Sequence, residues 1–257
     1  MLEELYLINL IVFISGVVLF ATLEYFFVFR KYQDKKTLRW GENFGLTLIN
    51  TLIIRLLFII TPISAALYAS ENSIGIFHMF GVHEIVGGII AFIVLDMVVY
   101  GEHVLFHKIP FLWRIHKVHH SDLDLDFSSG LRFHFLESIL SVITKILVVV
   151  FLGAPIIAVV VFEIVLNFSA MFNHSNFILP KKIDTFVSKL IVTPKFHEVH
   201  HSQKLSESLS NYGFFLSIWD YLFGTYEKHE KKIEAIGLQK QKKRYSFKKL
   251  LLLKLDK

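Results

Sequence analysis

Long apolar runs broken by short polar segments dominate the chain. Leu5 to Phe29 carries Glu24 as its single charge, Leu46 to Ala69 carries Arg55, and Ile85 to Tyr100 carries Asp96. The fourth run, Ile139 to Phe172, is 34 residues long and holds only Lys145 and Glu163. A bilayer core takes about 20 helical residues to cross, so this run is long enough for two passes. Gly153-Ala154-Pro155 at its middle supplies the turn. The pattern predicts an all-α, multi-span membrane protein with four to five transmembrane or re-entrant helices. Composition agrees: 54% of the residues are hydrophobic, against roughly 45–50% for a soluble domain, and the mean hydropathy is +0.54. Glu3 and Glu4 stand where a signal peptide would be basic, which predicts that the first span is retained as an anchor.

Charge orients the spans. Arg30, Lys31, Lys35, Lys36 and Arg39 follow the first run, whereas Ser70 to Glu84 contains no Lys or Arg. By the positive-inside rule the first loop is cytoplasmic and the second is not. The third run then returns to the cytoplasm near His107, the long run forms a hairpin, and Lys181 onward is cytoplasmic too. Three regions follow: membrane anchor helices over 1–84, a histidine-rich catalytic domain over 85–227, and a basic tail over 228–257. The tail has eleven Lys or Arg against three acidic residues, a composition suited to anionic headgroups. Nothing else in the chain supports nucleic-acid binding.

This sorting gathers ten of the thirteen histidines on one face. His103 and His107 are four apart, one helical turn. His116, His119 and His120, in "HKVHHS", share the i, i+3, i+4 spacing of His197, His200 and His201, in "HEVHHS". His134 and His174 stand singly in polar breaks, while His78, His83 and His229 lie apart and read as interfacial anchors. There is no cysteine, so any metal must take nitrogen or oxygen ligands. Read alone, His197-Glu198-x-x-His201 spells the zinc site of a metalloprotease, with Glu198 as its base. The near-copy has Lys117 where that base must be, so the shared element is the histidine triplet. Ten nitrogens exceed the four ligands of one zinc but suit two irons that keep open positions. A histidine-rich transporter would instead string ligands along a path near the midplane.

Among the remaining polar residues, Asp96 is costly in lipid and is a candidate to orient a ligating histidine, or else to pair with a basic residue. Arg55 and Lys145 read as snorkelling side chains. Glu163 and Asn167, four apart, either line a polar pocket or satisfy each other.

From about Asp96 to Tyr226 the chain resembles the fatty acid hydroxylase/sterol desaturase superfamily of membrane-bound, histidine-rich diiron oxygenases. The resemblance rests on "DMVVYGEHVLFH", "LWRIHKVHHS", "LRFHFLE", "FNHSNFILP", "VTPKFHEVHHS" and "NYGFFLSIWDYLFGTY". It implies a helical membrane domain topped by a cytosolic helical cap that holds a dinuclear site. Two iron ions would use O2 to hydroxylate or desaturate a fatty acyl chain or sterol-like lipid, with zinc as an isolated substitute. The family's ligands fall on His103, His107, His116, His119, His120, His197, His200 and His201. His134 and His174 match its isolated histidines. Asp220 matches a polar position after the last cluster, where it is expected to accept a hydrogen bond behind the ligands. Val104 and Phe135 depart from the Arg and Pro that many members carry there, which loosens any inference about the substrate. No cytochrome b5-like module is read within the chain, so the resemblance implies a separate electron donor: a cytochrome b5-like protein, a ferredoxin or a reductase.

Overall fold

The computed structural model describes residues 2–58, 60–228 and 233–255, so His229 lies outside the described residues. Five segments are long and apolar enough to cross a membrane: Leu2–Phe26, Lys36–Met79, Glu84–Lys108, Phe135–Leu152 and Ile156–His174. The first is helix α1 (Leu2–Phe26). The second comprises α2 (Lys36–Leu57), α3 (Pro62–Glu71) and α4 (Ile76–Met79), and the third is α5 (Glu84–Lys108). After α6 (Pro110–His120) and a 3-10 turn (Phe127–Leu131) come α7 (Phe135–Leu152) and α8 (Ile156–His174). The remainder forms short helices: α9 (Lys181–Val187), α10 (Pro194–His200), α11 (Leu205–Ser208), α12 (Ile218–Leu222) and α13 (Phe247–Leu251). Among the described residues the only β-pairing is two isolated bridges.

The spanning helices bury little of their own surface. Leu7, Ile11, Ile14 and Val18 of α1 and Ile85 and Ile89 of α5 are exposed, as expected of helices whose solvent is lipid. Inside the bundle, Ala66, Ala91, Leu95, Val149, Val159 and Phe162 form the main apolar cluster. Gly153, at φ +68°, closes α7 in the left-handed conformation, and α8 starts three residues later. The long apolar run is therefore a hairpin. Its return brings the C-terminal ends of α1, α5 and α8 to the same end of the bundle as the N-terminal ends of α2 and α7.

At that end sits a cap rich in buried polar groups. The guanidinium of Arg39, at the start of α2, donates to Asp122 at 2.7 and 2.8 Å and to Asp126 at 2.7 Å. Arg132 donates to Asn43 at 2.8 Å and to the Val118 carbonyl at 2.9 Å. Buried charges need such partners. Burial alone would raise the Asp122 carboxyl, but the charge and hydrogen bonds of Arg39, with Arg132 and Ser129, together outweigh it and hold Asp122 well below the usual carboxylate range. The 3-10 turn lies so close to α8 that a Cβ on Gly130 would fall 2.1 Å from the Ala170 carbonyl oxygen. Residues 233–255, basic in sequence, pack back onto the cap: Leu238, Tyr245 and Leu250 are buried with Leu46 and Val118, and Ile233 and Ile236 with Leu125 and Val199.

Candidate metal centre

Two short helices carry the paired motifs, and both begin on proline at the first turn: Pro110 in α6 and Pro194 in α10. Proline suits that position because its missing N–H has no partner there anyway. Thr193 caps α10 by accepting from the Phe196 N–H. On each helix the first and third histidines, four apart, share one face and the middle one is offset.

The fold brings nine histidines into two groups. His103, His107, His116, His120 and His200 form one, and His119, His174, His197 and His201 the other, with a nitrogen of each member within 4.8 Å of all others in its group. All nine are buried. α6 sends His116 and His120 to the first group and His119 to the second. α10 does the reverse, sending His197 and His201 to the second group and His200 to the first.

Backbone carbonyls and one carboxylate fix how the rings face. Nδ1 of His103 meets the Tyr212 carbonyl at 2.8 Å, Nδ1 of His200 meets that of Ser210 at 2.7 Å, and Nδ1 of His174 meets that of Ala170 at 2.7 Å. A carbonyl only accepts, so each Nδ1 carries the proton and each Nε2 keeps a lone pair. His116 sets its Nδ1 against Glu137 at 2.7 Å. Nε2 of His103, His116 and His200 and both ring nitrogens of His197 are buried without a hydrogen-bond partner. Nε2 of His174 approaches Nε2 of His119 at 3.1 Å and of His201 at 3.0 Å, and His107 and His120 approach likewise at 3.1 Å. Two nitrogens bound at right angles about 2.1 Å from one metal lie about 3 Å apart. Inward lone pairs at ligand spacing form a donor set that a cation satisfies and a hydrogen bond does not. Burial, and then repulsion from neighbouring histidines, pushes His116, His119, His120, His197, His200 and His201 well below the ordinary imidazole value of 6.5. These rings are neutral, the form that binds metals.

The other expected residues sit elsewhere. His134 joins neither group: its Nδ1 accepts from the Leu136 N–H at 3.2 Å, capping α7, and its Nε2 faces the Leu251 carbonyl at 3.2 Å. Among the described residues Asp96 makes no hydrogen bond to a histidine and no ion pair. It lies two turns before His103 and accepts from the Trp219 indole at 2.8 Å and the Leu216 N–H at 3.1 Å. Asp220 accepts from the backbone of Tyr212 and Gly213 at 2.8 and 2.6 Å and from Thr225 at 2.7 Å. It thus fixes the residue whose carbonyl orients His103. Glu198 is ion-paired with Arg30, which removes it from the position a protease base must hold. Lys145 does not snorkel but pairs with Glu163 at 2.8 Å. Asn167 donates to the Glu163 backbone carbonyl at 2.8 Å. Glu137 was not singled out from the sequence. Its signal is its position, three residues after His134 at the entrance to an apolar run.

A cavity of about 260 Å³ reaches this centre from within the bundle, bordered by His103, His116, His119 and His197 and extending to Lys145 and Asn167. A separate groove of about 620 Å³ reaches His120 from the cap surface.

The family model for fatty acid hydroxylases matches residues 88–225, more than half of the chain. The chain belongs to the fatty acid hydroxylase family. The match takes in all ten cap-side histidines, Asp96 and Asp220. Relatives of this hydroxylase-family chain include the ornithine lipid hydroxylase OlsE of Rhizobium tropici, 32% identical over 139 residues, which are 54% of this chain and 41% of that protein. Human alkylglycerol monooxygenase is 29% identical over 144 residues, 56% of this chain and 31% of the relative. The very-long-chain aldehyde decarbonylase GL1-7 of rice is 28% identical over 144 residues, 51% and 21% respectively. The chain thus spans less than half the length of these curated relatives. No solved structure matches it significantly.

Proposed function

We propose that this hydroxylase-family chain is a membrane-bound, non-haem diiron oxidoreductase that uses O2 to hydroxylate or desaturate a lipid chain. The observation that carries the reading is the pair of buried groups of five and four histidines with inward, unpartnered nitrogens. Nine nitrogens are too many for one zinc and suit two irons with positions left open. His103, His107, His116, His120 and His200 would hold one ion, and His119, His174, His197 and His201 the other. His134 is assigned to capping α7. Bound iron would supply the activation of O2.

The chain's own residues supply the rest. Carbonyls of Tyr212, Ser210 and Ala170 hold three rings in the tautomer that presents Nε2, and Glu137 does the same for His116 while strengthening it as a ligand. The bundle cavity lets a lipid chain approach four of the histidines from within the bundle. The cap is assigned to the cytoplasmic side on the strength of Arg30, Lys31, Lys35 and Lys36 and the basic segment after Lys240. The groove at His120 includes Lys117, Lys240, Lys242, Lys243 and Arg244, a surface that favours an acidic electron donor. Trp113 lies at its edge with its ring centroid 4.8 Å from that of His107 and 5.4 Å from that of His120.

Metal analysis of the purified full chain, paired with lipid mass spectrometry of membranes with and without it, tests the proposal. About two irons per chain and an oxygen-dependent mass change of one oxygen or two hydrogens are expected. Stoichiometric zinc with no lipid change under any donor system would overturn it.

A further inference from the structure

α7 carries a polar stripe along one face of an otherwise apolar spanning helix. Ser138, Ser141 and Lys145 stand at i, i+3 and i+7, a spacing that keeps them on one side, and all three border the bundle cavity together with Glu137. Lys145 lies near the middle of α7, is 7% exposed and pairs with Glu163 of α8. Ser141 donates to Glu102 of α5 at 3.2 Å. Fold stability does not account for these groups, because replacing a buried ion pair with apolar side chains of similar size is commonly neutral or stabilising. Ionisable residues inside spans face cavities and mark what passes through them. An ammonium has three donors, and the Glu163 carboxylate lies beside this one as its counter-charge.

We propose that Lys145 and its stripe select a lipid whose chain carries a hydrogen-bond-accepting oxygen, as ether, carbonyl or hydroxyl, over a plain hydrocarbon chain. This deepens the proposed function and rests on its reading of the cavity as the substrate site. Lys145 is eight residues beyond Glu137, a rise of about 12 Å along the helix, and helical side chains lean back toward the N-terminus. The recognised oxygen therefore sits no more than about 12 Å from the metal-facing end. A plain chain seated there would leave the ammonium desolvated with donors unmet.

The test is competitive binding of dinonyl ether and nonadecane, chains of equal length differing by one oxygen, to the full chain in nanodiscs without O2 or reductant. The wild type should favour the ether about tenfold, the effect of one charge-assisted hydrogen bond. The Lys145→Met/Glu163→Leu double variant should bind both alike while retaining the wild-type metal content. Equal binding by the wild type, or an unchanged preference in the folded double variant, overturns the proposal. If the double variant does not fold, Lys145→Gln replaces it: a preference reduced to about threefold or less supports selection by Lys145, and a retained tenfold preference overturns it. Because no turnover is read, a protein that binds the ether but oxidises no lipid refutes the oxygenase reading alone. A protein that oxidises lipids without the preference refutes only the role of Lys145.

Discussion

The two motif helices differ at one position out of six, Lys117 in α6 against Glu198 in α10, and what surrounds that position could hardly differ more. Lys117 is half-buried beside a solvent-open groove, its ammonium 6.0 Å from the Trp113 ring centre. Glu198 is buried against Arg30, whose guanidinium also donates to the Ile233 carbonyl at 2.5 Å. The identical positions, by contrast, behave as mirror partners. Each helix gives its i and i+4 histidines to one group and its i+3 histidine to the other, with the groups exchanged. The shared residues therefore make the centre, and the variable one attaches each helix to its own surroundings.

The sharpest way to break the comparison is to remove the crossing members. His119→Ala and His200→Ala should each lower bound iron from about two per chain to about one or fewer and abolish lipid oxidation. Retained turnover in either variant would sink the exchange of ligands between helices. Acid should act on both helices at once. In the unfolded chain these histidines take up protons at about their ordinary value of 6.5, while the folded rings resist. The stability they contribute is full above that value and is lost as pH falls below it. Iron retention and the melting temperature should fall together between pH 7 and 5.

Glu137→Gln probes the one ligand in α6 held by a carboxylate, and a 10–100-fold loss in iron affinity or activity is expected. The backbone-held His200 of α10 offers no equivalent side-chain lesion. At the variable position, Glu198→Gln should cost about 3 kcal/mol of stability by stranding Arg30, with the Arg30→Leu/Glu198→Leu pair recovering most of it. Lys117→Gln, at a half-buried position beside the groove, should cost less than Glu198→Gln. Denaturant midpoints compare these variants directly, and equal costs at the two positions would erase the distinction.

Local spacing carried much of this arrangement and long-range pairing hid the rest. The span pattern and the turn at Gly153 are visible because apolar runs and turn residues are local signals. The offset of the middle histidine on each motif helix is not, because i, i+3, i+4 spacing reads as one face. Which group each ring joins is not visible, since it depends on how α6 and α10 face each other. His134 and His174 look alike as single histidines in polar breaks. His174 ends α8 inside the cap, whereas His134 begins α7 and turns its nitrogens to the backbone. Glu137, Lys145 and Asp96 each find a partner on another element, and sequence separation conceals such partners. The basic C-terminal segment adds to this: its charges stand out in the composition, whereas the packing of Ile233, Ile236, Leu238 and Leu250 onto the cap is long-range and does not.

The unequal membership of the two groups also sets a timetable. A chain whose synthesis has passed α8 but not reached α10 already holds four of the first group's five histidines but only two of the second group's four. If two ions bind as proposed, the first position would have most of its ligands in place while the ribosome is still working, and the second would wait for residue 201 and the docking of α10. Metal loading would then be sequential, with the second ion sealing the finished cap.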